Sequence, residues 1–444
     1  MTPALPAAPE SGPNLTVPIL AATAVLSVAL LALYGGPLSF GNLMLALLMV
    51  NLAMLPAAFY LGPGRRVDFP IFELLLSYYA VSFGWTAFAD KLEWRDLTQP
   101  QITRAFLVAF DGVLALMVGY YLVRLQMRLP IRGPAFARPL PAHLTFLMGV
   151  LMLAANTGLF LIGGRELGGA MEQVRVTVGG FGLALCWLHY FKAEAQPAER
   201  LLIVGLTVLM MLIQALVASI KPLIVPLVVI AVSYWRSRHR VPWGMMALVV
   251  VVFAVINPVK HYWRDRVWHA GHDVTLMENL GYLADAFEQY YFGDAVIEKD
   301  SKTAAINRVS DIAILGRAAY YTPKYIPYWR GVTLKVLVYS MIPRSLMPDK
   351  PRSAFGNPFG RIYEIIGPND YLTLISVNWV TEVYINFGPG GVFLGMMLIG
   401  CLTRVIQESA SSPGVPDLQF AVGLGAAGPL FNGGENLAMV WGGF

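Results

Sequence analysis

The run Ile342-Pro343-Arg344-Ser345-Leu346-Met347-Pro348-Asp349-Lys350-Pro351-Arg352 carries three prolines and three cations, Arg344, Lys350 and Arg352. Proline fixes its own φ and restricts the residue before it, so this stretch is an extended or turning path. Guanidinium groups bind phosphate oxygens through two parallel hydrogen bonds. A rigid cationic element directly after an apolar piece suits an anionic headgroup, above all a lipid-linked pyrophosphate. A basic edge resting on lipid headgroups explains the same composition.

Two further clusters flank it. NRVSDIAILGR places Arg308, Asp311 and Arg317 together; at helical spacing Arg308 and Asp311 are three apart, the distance of an ordinary helix ion pair. Arg317 then opens RAAYYTPKYIPYWRG, which interleaves Tyr320, Tyr321, Tyr325, Tyr328 and Trp329 with Lys324 and Arg330. Aromatic faces beside cations fit a sugar-phosphate ligand, and they equally fit an interfacial aromatic belt. On the other side stands Thr381-Glu382-Val383-Tyr384-Ile385-Asn386-Phe387-Gly388. An acid so close to an apolar block pairs with a cation or works as a general base, so Glu382 is a candidate for either role.

Other chemistry is thinner. Glu73, Asp111 and Glu435 lie in apolar stretches, where acids are functional suspects and where Arg104 is one available partner. His261, His269 and His272 match no zinc spacing, and no HExxH pattern accompanies them, so neither a metal nor a cofactor is expected. A phosphate-binding G-x-x-x-x-G-K-[ST] loop, a G-x-S-x-G elbow and a metal-holding D-x-D pair are absent. Cys186 and Cys401 each fall inside an apolar segment, which leaves no disulfide framework or thiolate site.

The elements that must position these residues are membrane helices. Only 13% of the 444 residues are charged, against about a quarter in soluble domains, and 57% are hydrophobic. Apolar windows of spanning length, about 20 residues, recur at 17–34, 38–62, 69–89, 101–125, 142–162, 176–192, 201–219, 222–235, 242–259, 388–405 and 418–444. The expectation is an all-α polytopic bundle of about eleven transmembrane helices. The net charge of +5 does not imply nucleic acid, because the basic clusters sit between apolar blocks. The N-terminal tail (1–16) lacks the basic start of a secretory signal, so 17–34 reads as a retained span.

Charge also sets orientation. With a cytoplasmic N-terminus, the internal loops hold Arg65, Arg66, Arg124, Arg128, Arg132, Arg138, Lys192, Arg200, Arg236, Arg238, Arg240 and Arg404. The opposite short loops hold about half as many cations, as the positive-inside rule requires. Helices one to nine then occupy 17–259, a large loop domain at 260–387 lies outside the cytoplasm, and the last two helices fill 388–444. The 260–385 stretch holds 14 of the 32 Lys and Arg and 13 of the 27 Asp and Glu. It is also rich in aromatics, so it is expected to fold against the membrane rather than remain disordered. Within it, 274–292 repeats apolar residues at three-to-four spacing, an amphipathic helix. Residues 332–342 are too short to span and suit a re-entrant or interfacial helix.

The ordered series Arg308/Asp311, Tyr-Thr-Pro, Trp329-Arg330-Gly331-Val332-Thr333-Leu334, Ile342-Pro343-Arg344 with Pro348-Asp349-Lys350-Pro351, and Glu382-x-Tyr384-x-Asn386-Phe387-Gly388-x-x-Gly391 resembles Wzy-type polymerases. These are the repeat-unit polymerases of O-antigen and exopolysaccharide synthesis, and the likeness covers about residues 300–405. The resemblance implies a GT-C-like, metal-independent glycosyltransferase in the bacterial cytoplasmic membrane. It would join undecaprenyl-pyrophosphate-linked oligosaccharides at the outer face, with membrane lipids and a chain-length regulator protein as further partners. Arg344, Lys350 and Arg352 would then hold pyrophosphate, supported by Arg317, Arg330 and Arg308. Tyr321, Tyr328 and Trp329 would stack on sugar, and Glu382, Asp311 and His261 would serve as base or orienting groups. An O-antigen-ligase-like enzyme, a transporter or flippase for polysaccharide intermediates and a non-enzymatic scaffold are the competing readings.

Overall fold

A computed structural model describes residues 16–60, 69–89, 94, 97–126, 139–163, 169–215, 221–238, 240–270, 274–293, 310–340, 347, 349, 355–371, 373–411, 415–427 and 434–441. Among these residues every regular element is helical, and there is no strand. The order is α1 (Thr16–Leu33), α2 (Phe40–Tyr60), α3 (Ile71–Tyr79), α4 (Gln99–Gln126), α5 (Ala142–Gly163), α6 (Gly169–Tyr190), α7 (Pro197–Ala215) and α8 (Lys221–Arg238). Then follow α9 (Trp243–Trp268), α10 (Leu276–Tyr291), α11 (Asp311–Tyr321), α12 (Val332–Ser340), α13 (Gly356–Ile362), α14 (Trp379–Ser411), α15 (Asp417–Ala427) and α16 (Leu437–Trp441).

Eight described helices, rather than eleven, are long and apolar enough to cross a membrane: α1, α2, α3 with its continuation to Phe88, α4, α5, α7, α9 and α14. Such a set makes the chain a polytopic helical membrane protein. The windows 176–192 and 222–235 lie in α6 and α8, which are diluted by Glu172, Arg175 and His189 and by Lys221, Arg236 and Arg238. The last window does not form one described span. It divides into α15 and the five-residue α16, with Gly434, Glu435 and Asn436 outside any helix before α16.

Helix α3 does not end cleanly. It passes into a π-helical turn, Ala80–Gly84, and then a 3-10 turn, Trp85–Phe88. A π-turn inserts a residue into the helix and re-aims the side chains around it. Phe72 of α3 stacks on Tyr120 of α4 with ring centroids 3.6 Å apart, which sets the two helices side by side.

The centre of the molecule is α4 packed against α14. Helix α14 has 33 residues and would measure about 50 Å if straight. It is not straight. Gly388 has φ 71 and ψ −166, a left-handed conformation that favours glycine, and Pro389 follows it. The contacts show how far the chain turns. A side chain added at Gly395 would meet Val383 at 2.9 Å, although the two are twelve residues, about 18 Å of helix, apart. Gly112 of α4 faces Val380 and Val392 at once. The limb 379–387 therefore folds back on the limb 389–411, and both lie along α4.

The register follows. Arg404 stacks over Tyr120, and a Cβ on Gly400 would fall on the carbonyl of Leu116, so limb 389–411 runs parallel to α4. Small residues let these backbones approach closely, as in other membrane-helix pairs. Limb 379–387 runs the opposite way, from the level of Gly112 up to the level of Arg104, where Tyr384 meets it. It begins about 20 Å below the start of α4. This re-entrant limb enters the bundle and turns back within it. From Trp379 to Asn386 all its residues are buried.

A second, smaller core joins α9 to α10. Thr275 and Glu278 form a capping box, with Thr275 N–H donating to Glu278 Oε2 at 2.8 Å. The apolar stripe anticipated over 274–292 then packs Leu283, Ala286, Phe287 and Tyr290 against Val259, Trp263 and Val267 of α9. Trp263 Nε1–H donates to Asn279 Oδ1 at 2.8 Å and locks the pair.

Candidate functional site

The break at Gly388 creates the site. Pro389 has no N–H, so the carbonyl of Ile385 loses its helical donor. The loop before α12 supplies one: Trp329 N–H donates to Ile385 O at 2.9 Å, and Arg330 N–H donates to Asn386 O at 3.1 Å. Gly331 N–H then donates to Asn386 Oδ1 at 2.8 Å. To make this turn, Arg330 and Gly331 both adopt positive φ, 49 and 82. The tyrosine ring of Tyr328 covers Gly388 itself, its hydroxyl 2.7 Å from where a Cβ would be.

Beside the break a groove of about 470 Å³ opens between α4 and the limb 389–411. Arg104, Leu107, Val108, Asp111, Pro389, Gly390 and Phe393 line it. Positions 104, 107, 108 and 111 share one face of α4, spaced three, four and seven apart. Arg104 and Leu107 are exposed and Asp111 is half-buried, so the groove lies on the outer surface of the helix bundle. Arg104 Nη2 donates to the Tyr384 hydroxyl at 2.9 Å, and that hydroxyl donates to Thr322 O at 3.1 Å. Asp111 sits two turns along, about 10.5 Å of helix rise from Arg104.

The two acids expected to do chemistry are enclosed. Glu382 is fully buried; its Oε2 accepts from Leu437 N–H at 2.6 Å, and Thr333 lies beside the carboxyl. Asn386 Nδ2 donates to Thr333 Oγ1 and to Glu382 O, both at 2.8 Å, which closes the cluster. Asp311 is also fully buried and accepts from the Tyr78 hydroxyl at 2.6 Å. Burial pushes its carboxyl up to about 6, against the pull of the Tyr78 hydrogen bond and of the nearby polar groups of Asn378 and Ser82. Ser82 is on the π-turn and Asn378 caps the re-entrant limb, its Oδ1 accepting from Thr381 N–H at 2.9 Å. Asp311 thus ties α3, α11 and the limb together, and Glu382 ties the limb to α12 and α16.

The remaining expected site residues divide. Arg317 Nε donates to Tyr363 O at 2.9 Å, its Nη2 reaches Glu364, and its guanidinium stacks on Tyr321. Tyr321 in turn bonds Glu364. Trp329 is half-buried and packs edge-on against Phe355 at 5.9 Å and tilted against Tyr363 at 6.2 Å. Arg330 is exposed at the turn beside the break. Arg308, Arg344, Lys350 and Arg352 lie outside the described residues, as does the side chain of His261, whose backbone is in α9.

Arg104 is the residue that sequence reading under-weighted. It is seen there only as a partner for other acids, yet Arg104 and Asp111 are the only charged residues from Gln99 to Val123 and lie seven apart, on one helix face. Glu73 and Glu435 are elsewhere: Glu73 Oε2 accepts from Gln407 Nε2 at 3.3 Å, and Glu435 adjoins Gly434, which contacts Tyr78 and Ser376.

No curated protein and no solved structure matches the chain. A family model described as a domain of unknown function, DUF8712, matches residues 142–413, which runs from α5 to the end of α14 and leaves α4 outside. That match spans more than half of the chain, which therefore belongs to the DUF8712 family.

Proposed function

We propose that this protein is a membrane glycosyltransferase that joins oligosaccharides carried on a polyprenyl pyrophosphate, a repeat-unit polymerase acting at the extracytoplasmic face. The observation that carries the reading is the groove at the Gly388–Pro389 break. It opens on the outer face of the bundle, where Leu107 and Phe393 are exposed, is walled by Leu107, Val108 and Phe393, and has one guanidinium, Arg104, at the end where α4 begins and one carboxylate, Asp111, two turns along. A substrate with an apolar tail and an anionic headgroup reaches such a groove sideways from the bilayer. A water-borne substrate has no use for an apolar wall facing lipid.

In the reaction an acceptor hydroxyl attacks the anomeric carbon of the donor, the bond to pyrophosphate breaks, and the hydroxyl proton passes to a base. Negative charge accumulates on the departing lipid pyrophosphate, where fixed cations stabilise it best. Arg104 serves that charge first. Its hydrogen bond to Tyr384 fixes the guanidinium plane, so less entropy is lost when phosphate binds. Arg344, Lys350 and Arg352 follow α12 in the chain and are proposed to supply the rest. Glu382 and Asp311 act as positioning residues that hold the re-entrant limb.

The test is assembly in nanodiscs from purified lipid-linked repeat units, read as a product ladder. Arg104→Ala should slow chain growth roughly 100-fold, the cost typical of losing one transition-state donor. Arg104→Lys should recover part of the rate, since charge returns without the fork. A ladder from Arg104→Ala that matches the parent would end the assignment.

A re-entrant limb beginning at mid-span is also a device of transporters, whose broken helices meet at the midplane. Movement of labelled lipid-linked oligosaccharide across the bilayer, with no elongated product, would select that reading.

A further inference from the structure

A second concavity lies on the α9–α10 hairpin and shares no residue with the groove. It has a volume of about 360 Å³ and is lined by Tyr262, Arg264, Asp265, Trp268 and His269. This volume falls at the small end of the range for ligand pockets, roughly 300–1,000 Å³. Four of them come from the last two turns of α9, and His269 caps its C-terminus. Trp263, on the opposite face, is fully buried against α10, so the presenting helix is held rigidly.

The lining has a definite chemistry. Trp268 is 59% exposed, although a tryptophan in a packed fold is usually well covered. The Arg264 guanidinium lies 4.8 Å over its ring. His269 Nδ1 is 3.1 Å from Asp265 Oδ1, and both side chains are 76% exposed. An indole with a guanidinium over one face, and a carboxylate and an imidazole beside it, presents an exposed apolar face together with donors and acceptors in one small space. A pyranose ring has the complementary make-up: an apolar C–H face and a rim of hydroxyls.

Tryptophan and arginine at a helix end are also what a lipid interface collects, so height decides between the two. The apolar span of α9 ends at Lys260. Trp268 is eight residues further on, about 12 Å along the helix axis. The headgroup layer on each side of a bilayer is only roughly 5 to 8 Å thick. Counted from the end of that apolar span, the pocket stands beyond such a layer, at the height where a saccharide chain attached to a lipid would pass.

We propose that this pocket is a saccharide-binding subsite, taking one part of an oligosaccharide while the lipid-linked end is held elsewhere. The proposal deepens the glycosyltransferase reading and rests on it for the source of the sugar. The pocket itself can be tested separately. Full-length protein in nanodiscs is applied to a printed array of bacterial O-antigen and exopolysaccharide oligosaccharides. The parent should be retained on one oligosaccharide type, Trp268→Ala should bind at least roughly tenfold more weakly, and Trp268→Phe should keep most of the binding. Arg104→Ala should bind as the parent does.

Retention lost in Trp268→Ala while no variant polymerises would uphold the subsite and remove the polymerase. Polymerisation by the parent with unchanged rate, KM and array binding in Trp268→Ala would remove the subsite and leave the polymerase. No retention of the parent on any oligosaccharide would overturn the subsite outright. So would strong quenching of the Trp268 fluorescence, taken as parent minus Trp268→Ala, by lipids spin-labelled at the headgroup, since the ring would then lie among lipids.

Discussion

Glu382 offers Leu437 N–H an acceptor at 2.6 Å and has no contact with the groove. A positioning role for Glu382 makes a different prediction from that of a base. Glutamine at this position keeps a carbonyl oxygen for the same N–H, so Glu382→Gln should retain parental expression, Tm and chain growth within a few-fold. Glu382→Ala leaves a buried N–H without a partner, a cost of about 1–3 kcal/mol, and should lower Tm in detergent. A general base would show the reverse, with Glu382→Gln folded and inactive. Measuring Tm and product ladder for both variants separates the roles. Asp311 differs in one respect. The Tyr78 hydroxyl donates to it at 2.6 Å, and Ser82 and Asn378 lie near, so an amide NH₂ turned toward Tyr78 would meet a donor, and Asp311→Asn should be the more damaging of the two isosteric changes.

At the scale of elements, much was legible and some was not. Eight spans followed from apolar length, and α10 followed from its three-to-four apolar period. The Gly388-Pro389 pair announced a break. The return of limb 379–387 along limb 389–411 was not legible, because it depends on Gly395 lying under Val383 and Gly112 lying under both limbs. Those are tertiary facts with no local signature. The same reason hid the surroundings of Glu382 and Arg317: residue type announces charge, and only packing decides which groups meet it. Gly388 carries the fold-back, and a test follows. Gly388→Ala forces φ 71 on a residue with a Cβ and drives that Cβ toward the Tyr328 hydroxyl. The strain is about 1–3 kcal/mol, so Tm should fall. Adding Tyr328→Phe removes the hydroxyl and should restore part of the loss. Equal Tm for the single and double variants would place the strain in the backbone alone.

For the whole molecule, charge bias and architecture make one joint prediction. Arg104, Tyr384, Thr322 and the exposed Lys324 share one end of the bundle, because Arg104 bonds Tyr384 and Tyr384 bonds Thr322, two residues before Lys324. Arg236, Arg238 and Arg240 end α8 and its following turn, on the side that the positive-inside rule assigns to the cytoplasm. A polymerase fed by lipid-linked sugars at the outer face needs the Arg104 end outside. Lys324→Cys and Arg240→Cys place single reporters at exposed positions of the two ends. The native thiols give little background, since Cys186 is buried and Cys401 is half-buried within α14. In intact cells a membrane-impermeant maleimide should label Lys324→Cys and leave Arg240→Cys unlabelled until the membrane is opened. The inverted result would put the groove's cation in the cytoplasmic leaflet, where a glycosyl transfer at the outer face could not use it.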